Sequence, residues 1–274
     1  MNMSPQAVSM KGPSKPAAHS SLLAVIAVAI VAYATNDVIH ELVGHGTVAL
    51  LLGIKITSIS SVGLQSLERS RLLSAAGSIA NVLAGVISFV WLQRRKKFGR
   101  AGYLLWLLGF VNVMDGTCYL LASALLNNGD WSVVIADLNP AWAWRAAMGL
   151  VGLGLYFVFV RWAGALMTRF VELGEIGRND LPWLTVPAYL AGGALMTLAA
   201  VFNPFSPSLI LLSGVGASLG LTWGLLLTPG IVAQRTSNTR VDAQVLSSNW
   251  QWIALAAVVA ILFVAVFGPG VRFA

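Results

Sequence analysis

An all-α membrane protein, a polytopic helical bundle of about seven spans, is the fold class this sequence predicts, and three observations predict it. Of its 274 residues 57% are hydrophobic and only 10% charged, whereas a soluble domain carries about 25% charge. Apolar runs near the length that crosses the hydrocarbon core as a helix, about 20 residues, recur at roughly 21–52, 71–92, 102–126, 143–168, 183–202, 207–228 and 251–268. Finally, the basic residues lie mostly in short loops between these runs, with Arg94, Arg95, Lys96, Lys97 and Arg100 directly after one of them. The net charge of +7 is therefore read as membrane orientation; the partner it implies is a lipid bilayer, with no nucleic acid.

The elements follow in order. The tail 1–20 is rich in Ser, Pro, Gly and Ala and reads as disordered. The first run is too long for a signal-peptide core and no small-residue cleavage site precedes His40, so it is expected to be retained as a span. It exceeds one crossing, which implies a tilt or a break near Thr35-Asn36-Asp37. Residues 53–70 alternate apolar and polar, the pattern of a short strand or hairpin. Gly129-Asp130-Trp131 and Asn139-Pro140 mark a polar turn without Lys or Arg, and Asn203-Pro204 with Pro207 mark a tight one. The chain divides into the tail 1–20, a transmembrane core 21–126 and additional helices 127–274.

Charge asymmetry orients the bundle. With the N-terminus cytoplasmic, in a plasma or inner membrane, the inner side collects Lys11, Lys15, the 94–100 cluster, Arg161, Arg169, Arg178, Arg235 and Arg240. The outer side keeps Lys55, Arg69, Arg71, Arg145 and Arg272. Trp91, Trp131, Trp142, Trp183, Trp250 and Trp252 near run ends read as interfacial anchors, and Gly152, Gly154, Gly192, Gly193, Gly214, Gly216 and Gly220 as helix-contact positions. One cysteine, Cys118, excludes an intrachain disulfide; it reads as packing.

Polar groups inside the runs are few. His40-Glu41-Leu42-Val43-Gly44-His45 places two of the three histidines and a carboxylate within six residues, and Asn112-Val113-Met114-Asp115-Gly116 falls midway along the third run. An ionisable residue at membrane depth is costly, so its default reading is functional. A zinc hydrolase needs about three protein ligands, an open position for water and a base beside it. His40, His45 and Asp115 can supply the metal ligands and Glu41 the base, and Asn112, one turn before Asp115, can hydrogen-bond a substrate carbonyl or its oxyanion. The bland alternative is a polar network that glues helices together.

These motifs resemble a family. Ile39-His40-Glu41-Leu42-Val43-Gly44-His45-Gly46, with Ala49 to Ile56 after it, is similar to the zinc helix of site-2 protease-like intramembrane metalloproteases. Gly77-Ser78-Ile79-Ala80-Asn81 resembles that family's Gly-Pro-x-x-Asn signature, although Asn81 itself reads as packing beside the small-residue face of Gly77, Ser78, Ala80, Ala84 and Gly85. Asn112-x-x-Asp115-Gly116 resembles the family's Asn…Asp-Gly motif. The order matches over residues 36 to 118. The resemblance implies a zinc metalloendopeptidase cleaving transmembrane protein or peptide substrates, with Zn2+ on His40, His45 and Asp115.

The chain also departs from the family. Its spacing is HExxxH instead of HExxH, Ser78 stands for the proline, and no proline breaks the Asn112–Asp115 stretch. On an α-helix residues four apart differ by roughly 40° and residues five apart by roughly 140°. His40 and His45 can then face one ion only if a π-bulge intervenes, and Gly44 is the natural place for it. On a straight helix Asp37, Glu41 and His45 would instead form one polar stripe, suited to a proton relay or small transporter. A non-proteolytic membrane scaffold is the remaining alternative.

Overall fold

In hydrocarbon a helix satisfies every backbone N–H and C=O internally, so each long apolar run folds as one. The computed structural model describes residues 20–237 and 246–273. The tail 1–19, with Lys11, Lys15 and His19, and also Arg240, lies outside them. Among the described residues seven helices are long and apolar enough to cross a membrane: α1 Leu22–Leu51, α2 Arg71–Gln93, α3 Gly99–Leu126, α5 Ala141–Glu172, α6 Leu181–Val201, α7 Ile210–Ala233 and α8 Trp250–Phe267. Between α3 and α5 a single short helix, α4 (Asp130–Val134), interrupts what the sequence reads as a plain polar turn. The protein is an all-α polytopic membrane bundle.

Helix α1 does not break at Thr35-Asn36-Asp37. It continues to Val38, widens into a π-helical segment at Ile39–Gly46, and closes as α-helix at Thr47–Leu51. The loop after it forms the expected hairpin, β1 (Ile56–Ser60) against β2 (Gly63–Ser66), with Ser60 opposite Gly63. The sequence did not point to the third strand: β3 (Val271–Arg272) adds antiparallel to β1, giving the order β2-β1-β3. Residues 271–272 are thereby tied to the hairpin that follows the first span.

Helix α3 is the axis of the core. Phe89 from α2, Tyr103, Trp106, Phe110 and Met114 from α3, and Met167 and Phe170 from α5 are all buried in one continuous apolar cluster that also takes in α1, α6 and α8. Buried Tyr and Trp need a partner for their polar tip. Tyr103 Oη donates to the Leu184 carbonyl at 2.6 Å, and the Trp106 indole to the Ala163 carbonyl at 3.1 Å. Small residues set the closest helix crossings. A Cβ on Gly44 would lie 2.5 Å from Gly77 Cα, and one on Gly116 2.6 Å from the Ser78 carbonyl oxygen. Gly152, Gly192, Gly193 and Gly214 are likewise pressed against other helices, whereas Gly154 and Gly220 face open space. Cys118 is buried in the apolar cluster.

The helix ends divide the loops between two faces. At one, Arg169 donates to the Gln93 and Arg95 carbonyls, and the Phe98 N–H donates to Glu175 at 3.1 Å. At the other stand the β-sheet and α4, where Arg71 donates to the Ala136 carbonyl and Arg145 to those of Ala124 and Leu125. Trp91, Trp142, Trp183 and Trp250 are exposed at helix ends as anchors should be. Trp131 differs: its indole turns inward and donates to Ser78 Oγ at 2.9 Å.

Candidate metal centre

The π-helical turn decides whether HExxxH can be a site. A π-helix bonds residue i to i+5, so residues five apart stack on one side, as four-apart residues do on an α-helix. His40 and His45 accordingly lie ring against ring, with centroids 4.8 Å apart. The bulge that the spacing demands is present around Gly44. With the turn widened, Asp37 and Glu41 line the cavity described below, and His45 comes close to His40 as well as to Glu41.

His40, Glu41 and His45 are all buried, and one ligand atom from each lies within 4.8 Å of the others. This group could hold a metal ion. The Nδ1 of His45 is 2.7 Å from the Leu73 carbonyl oxygen. A carbonyl can only accept, so Nδ1 carries the proton and Nε2 presents its lone pair. That Nε2 and the Nε2 of His40 each lie 3.2 Å from the same atom, Oδ2 of Asp130. Glu41 Oε2 and Asp37 Oδ2 are buried without a hydrogen-bond partner, an arrangement that costs free energy unless a proton or cation compensates.

Helix α2 supplies the floor. A Cβ on Gly77 would sit 2.5 Å from His40 Nε2 and 2.6 Å from His45 Nε2, so only glycine leaves room for both rings. Asn81, read from sequence chiefly as packing, instead donates to Asp115 Oδ2 at 2.7 Å and has its amide nitrogen 3.3 Å from His40 Nδ1. Asn36 donates to the same Asp115 oxygen at 2.9 Å.

Asp115, expected as the third metal ligand, stands behind His40, its Oδ2 3.8 Å from Nδ1 and occupied by two amides. Asn112, expected at the substrate carbonyl, is fully buried, donates to the Leu108 carbonyl of its own helix at 2.9 Å, and is not among the residues lining the cavity. Asp130 was missed in the sequence because Gly129-Asp130-Trp131 reads as an ordinary turn. The available signal was an acidic residue set between Gly129 and Trp131 in a loop with no Lys or Arg. Asp130 lies outside the spans; burial opposes its ionisation, but the hydrogen bonds from His40 and His45 outweigh burial and hold its carboxyl well below the usual range.

A cavity of about 670 Å³ opens onto these groups. Asn36, Asp37, His40 and Glu41 of α1, Asp115 and Tyr119 of α3, and Leu211 to Ser213, Gly216 to Ser218, Leu221 and Thr222 of α7 line it. Ser61 to Gln65 and Arg69 form the rim beside the hairpin, and Asn128 to Asp130 the rim beside α4. Comparison of the chain with protein-family models, with curated proteins and with solved structures finds no match. The functional reading therefore rests on this geometry and on the three motifs.

Proposed function

We propose that the protein is a membrane-embedded zinc metallopeptidase of the site-2 protease-like kind, hydrolysing peptide bonds of transmembrane protein or peptide substrates. The observation that carries the reading is the convergence of His40 Nε2 and His45 Nε2, through a π-helical turn, on one buried point beside Glu41. The donor set fits a metal: two imidazole nitrogens and a carboxylate, with orphaned acidic oxygens beside them and, among the described residues, no Lys or Arg lining the cavity except Arg69 at its rim. His40 and His45 would hold the ion, with a carboxylate completing the donors. Zinc at such a site supplies Lewis acidity that brings the pKa of a water to about 7.

The chain's own groups do the rest. The Leu73 carbonyl fixes the His45 tautomer, and the Gly77 floor keeps both rings in register. Glu41, on the cavity wall, accepts the proton of the attacking water on its free Oε2 and returns it to the leaving amine. The cavity, walled by α7, admits an extended segment while limiting bulk water. With the basic helix ends cytoplasmic, the hairpin and α4 rim face the opposite side.

Two measurements test this. Elemental mass spectrometry of detergent-purified protein is expected to give about one zinc per chain, lost in His40→Ala and His45→Ala and kept in Glu41→Gln. Apolar peptides of transmembrane length, reconstituted with the protein in phospholipid vesicles and read by mass spectrometry, are expected to be cut by wild type and not by Glu41→Gln. A wild type without zinc, or cleavage surviving Glu41→Gln, overturns the proposal.

A further inference from the structure

We propose that Asp130, and not Asp115, is the third protein donor, so that His40 Nε2, His45 Nε2 and Asp130 Oδ2 hold the ion and Asp115 is a positioning residue behind His40. This rests on the metal-dependent reading above and goes beyond it by choosing between the two acids. The two nitrogens of an imidazole point to opposite sides of the ring, so one ion cannot take both. Asp130 is on the Nε2 side of both histidines, at 3.2 Å from each. Asp115 is on the Nδ1 side of His40, at 3.8 Å. Donors at about 2.0–2.1 Å from a tetrahedral ion stand about 3.4 Å from one another, close to the separation of Asp130 Oδ2 from both nitrogens.

The competing explanation is a plain ion pair between the two histidines and one carboxylate. His45 Nδ1 already donates to the Leu73 carbonyl, so a second donation from Nε2 requires a full positive charge on that ring. His40 can donate from Nε2 as a neutral ring, because the Asn81 amide donates to its Nδ1 at 3.3 Å, so the ion pair leaves one charged and one neutral ring with centroids 4.8 Å apart. A single cation between the three atoms leaves both rings neutral, with the His40 Nδ1 proton directed toward Asp115. A divalent ion also offsets part of the negative charge of the acidic groups nearby.

Asp130 is also built into place. Gly129 adopts φ +82°, and a Cβ there would meet the Tyr119 hydroxyl at 2.7 Å, so the turn that aims Asp130 inward accepts only glycine. The Trp131 indole is fastened to Ser78 Oγ on α2, one residue past the Gly77 floor. Ser132 Oγ donates to the Gly129 carbonyl at 2.6 Å. The tripeptide thus brings a carboxylate from outside the spans down onto the two histidines. Asp115 Oδ2 is clamped by the Asn36 and Asn81 amides on the Nδ1 side of His40. Its place is that of the partner that orients a ligating histidine through its other nitrogen.

The test replaces each acid with a thiol and uses Co2+ as the probe. Full-length Asp130→Cys and Asp115→Cys, and the wild type, all carrying Cys118→Ser, are stripped with chelator in detergent and titrated with Co2+. A thiolate bound to Co2+ gives a sulfur-to-metal charge-transfer band that oxygen and nitrogen donors lack. The band is expected in Asp130→Cys and in neither other protein. A band in Asp115→Cys alone, or none in either variant while both take up Co2+, overturns the assignment. A wild type that takes up no Co2+ overturns the underlying metal reading instead. Should Asp130→Cys aggregate, Asp130→Asn provides the second reading. It is expected to weaken Co2+ binding by more than the about 10- to 100-fold of an outer partner, the range expected for Asp115→Asn, and equal losses in the two would also overturn the assignment.

Discussion

Two π-helical segments line the same cavity, and only one of them carries ionisable side chains. In α1 the segment Ile39–Gly46 holds His40, Glu41 and His45; in α7 the segment Ile210–Gly220 offers only Ser213 and Ser218 among apolar and glycine residues. The first spends its widened turn on bringing two imidazoles to one point, against a floor of Gly77. The second turns the Ser218 hydroxyl back on its own backbone. Ser218 Oγ donates to the Gly214 carbonyl and Thr222 Oγ1 to that of Ser218, while Tyr33 of α1 bonds the Thr222 hydroxyl at 2.9 Å. A π-turn is thus a geometric opportunity, and the side chains it aligns decide what it is for.

The sharpest way to break the comparison is to remove a histidine. His45→Ala is expected to abolish zinc retention, and removing Ser213 by Ser213→Ala to leave it unchanged, both read by elemental analysis. Next come paired glycine substitutions, one in each segment. Gly44→Ala would push a Cβ within 2.5 Å of Gly77 Cα and 2.8 Å of the Ala76 carbonyl, backbone atoms that cannot yield. It should separate α1 from α2 and lose metal together with about 1–3 kcal/mol of stability. Gly214→Ala meets Ala200 Cβ at 2.8 Å and should cost a similar about 1–3 kcal/mol while keeping zinc. Thermal unfolding beside metal content separates the two outcomes. If Gly214→Ala also empties the site, the segments are not independent.

Smaller effects are expected from the groups behind the histidines. Asn36→Ala or Asn81→Ala frees one of the two amides on Asp115 and should weaken metal affinity about 10- to 100-fold, with the fold kept. Smallest is Ser218→Ala: its hydroxyl serves only its own helix, and the change should stay within about 0.5 kcal/mol with zinc unaltered. A measured metal effect there would show that the α7 segment shares in the site after all.

The sequence by itself determined the membrane class, seven spans close to their final bounds and the hairpin after the first span, and it singled out the two histidines and the glutamate of the candidate site. These were legible because hydrophobic length, alternation and rare buried charges are local properties of the chain. The five-residue spacing made a π-turn the condition for both rings to meet, with a straight helix as the alternative, and the structure has the π-turn. Only the tertiary structure decided what surrounds them. Asn81 reads as packing until α2 lies against α1, and Asn112 reads as a site residue until its amide is seen bonded within α3. The strand at 271–272 finds β1 only through the closed bundle. Asp130 approaches His40 and His45 across 90 and 85 positions of sequence. A short Gly-Asp-Trp turn carries no periodicity to announce that contact. Its meaning comes from where α3 ends and from Ser78 and Tyr119 holding the turn, which are facts of packing between helices and not of order along the chain.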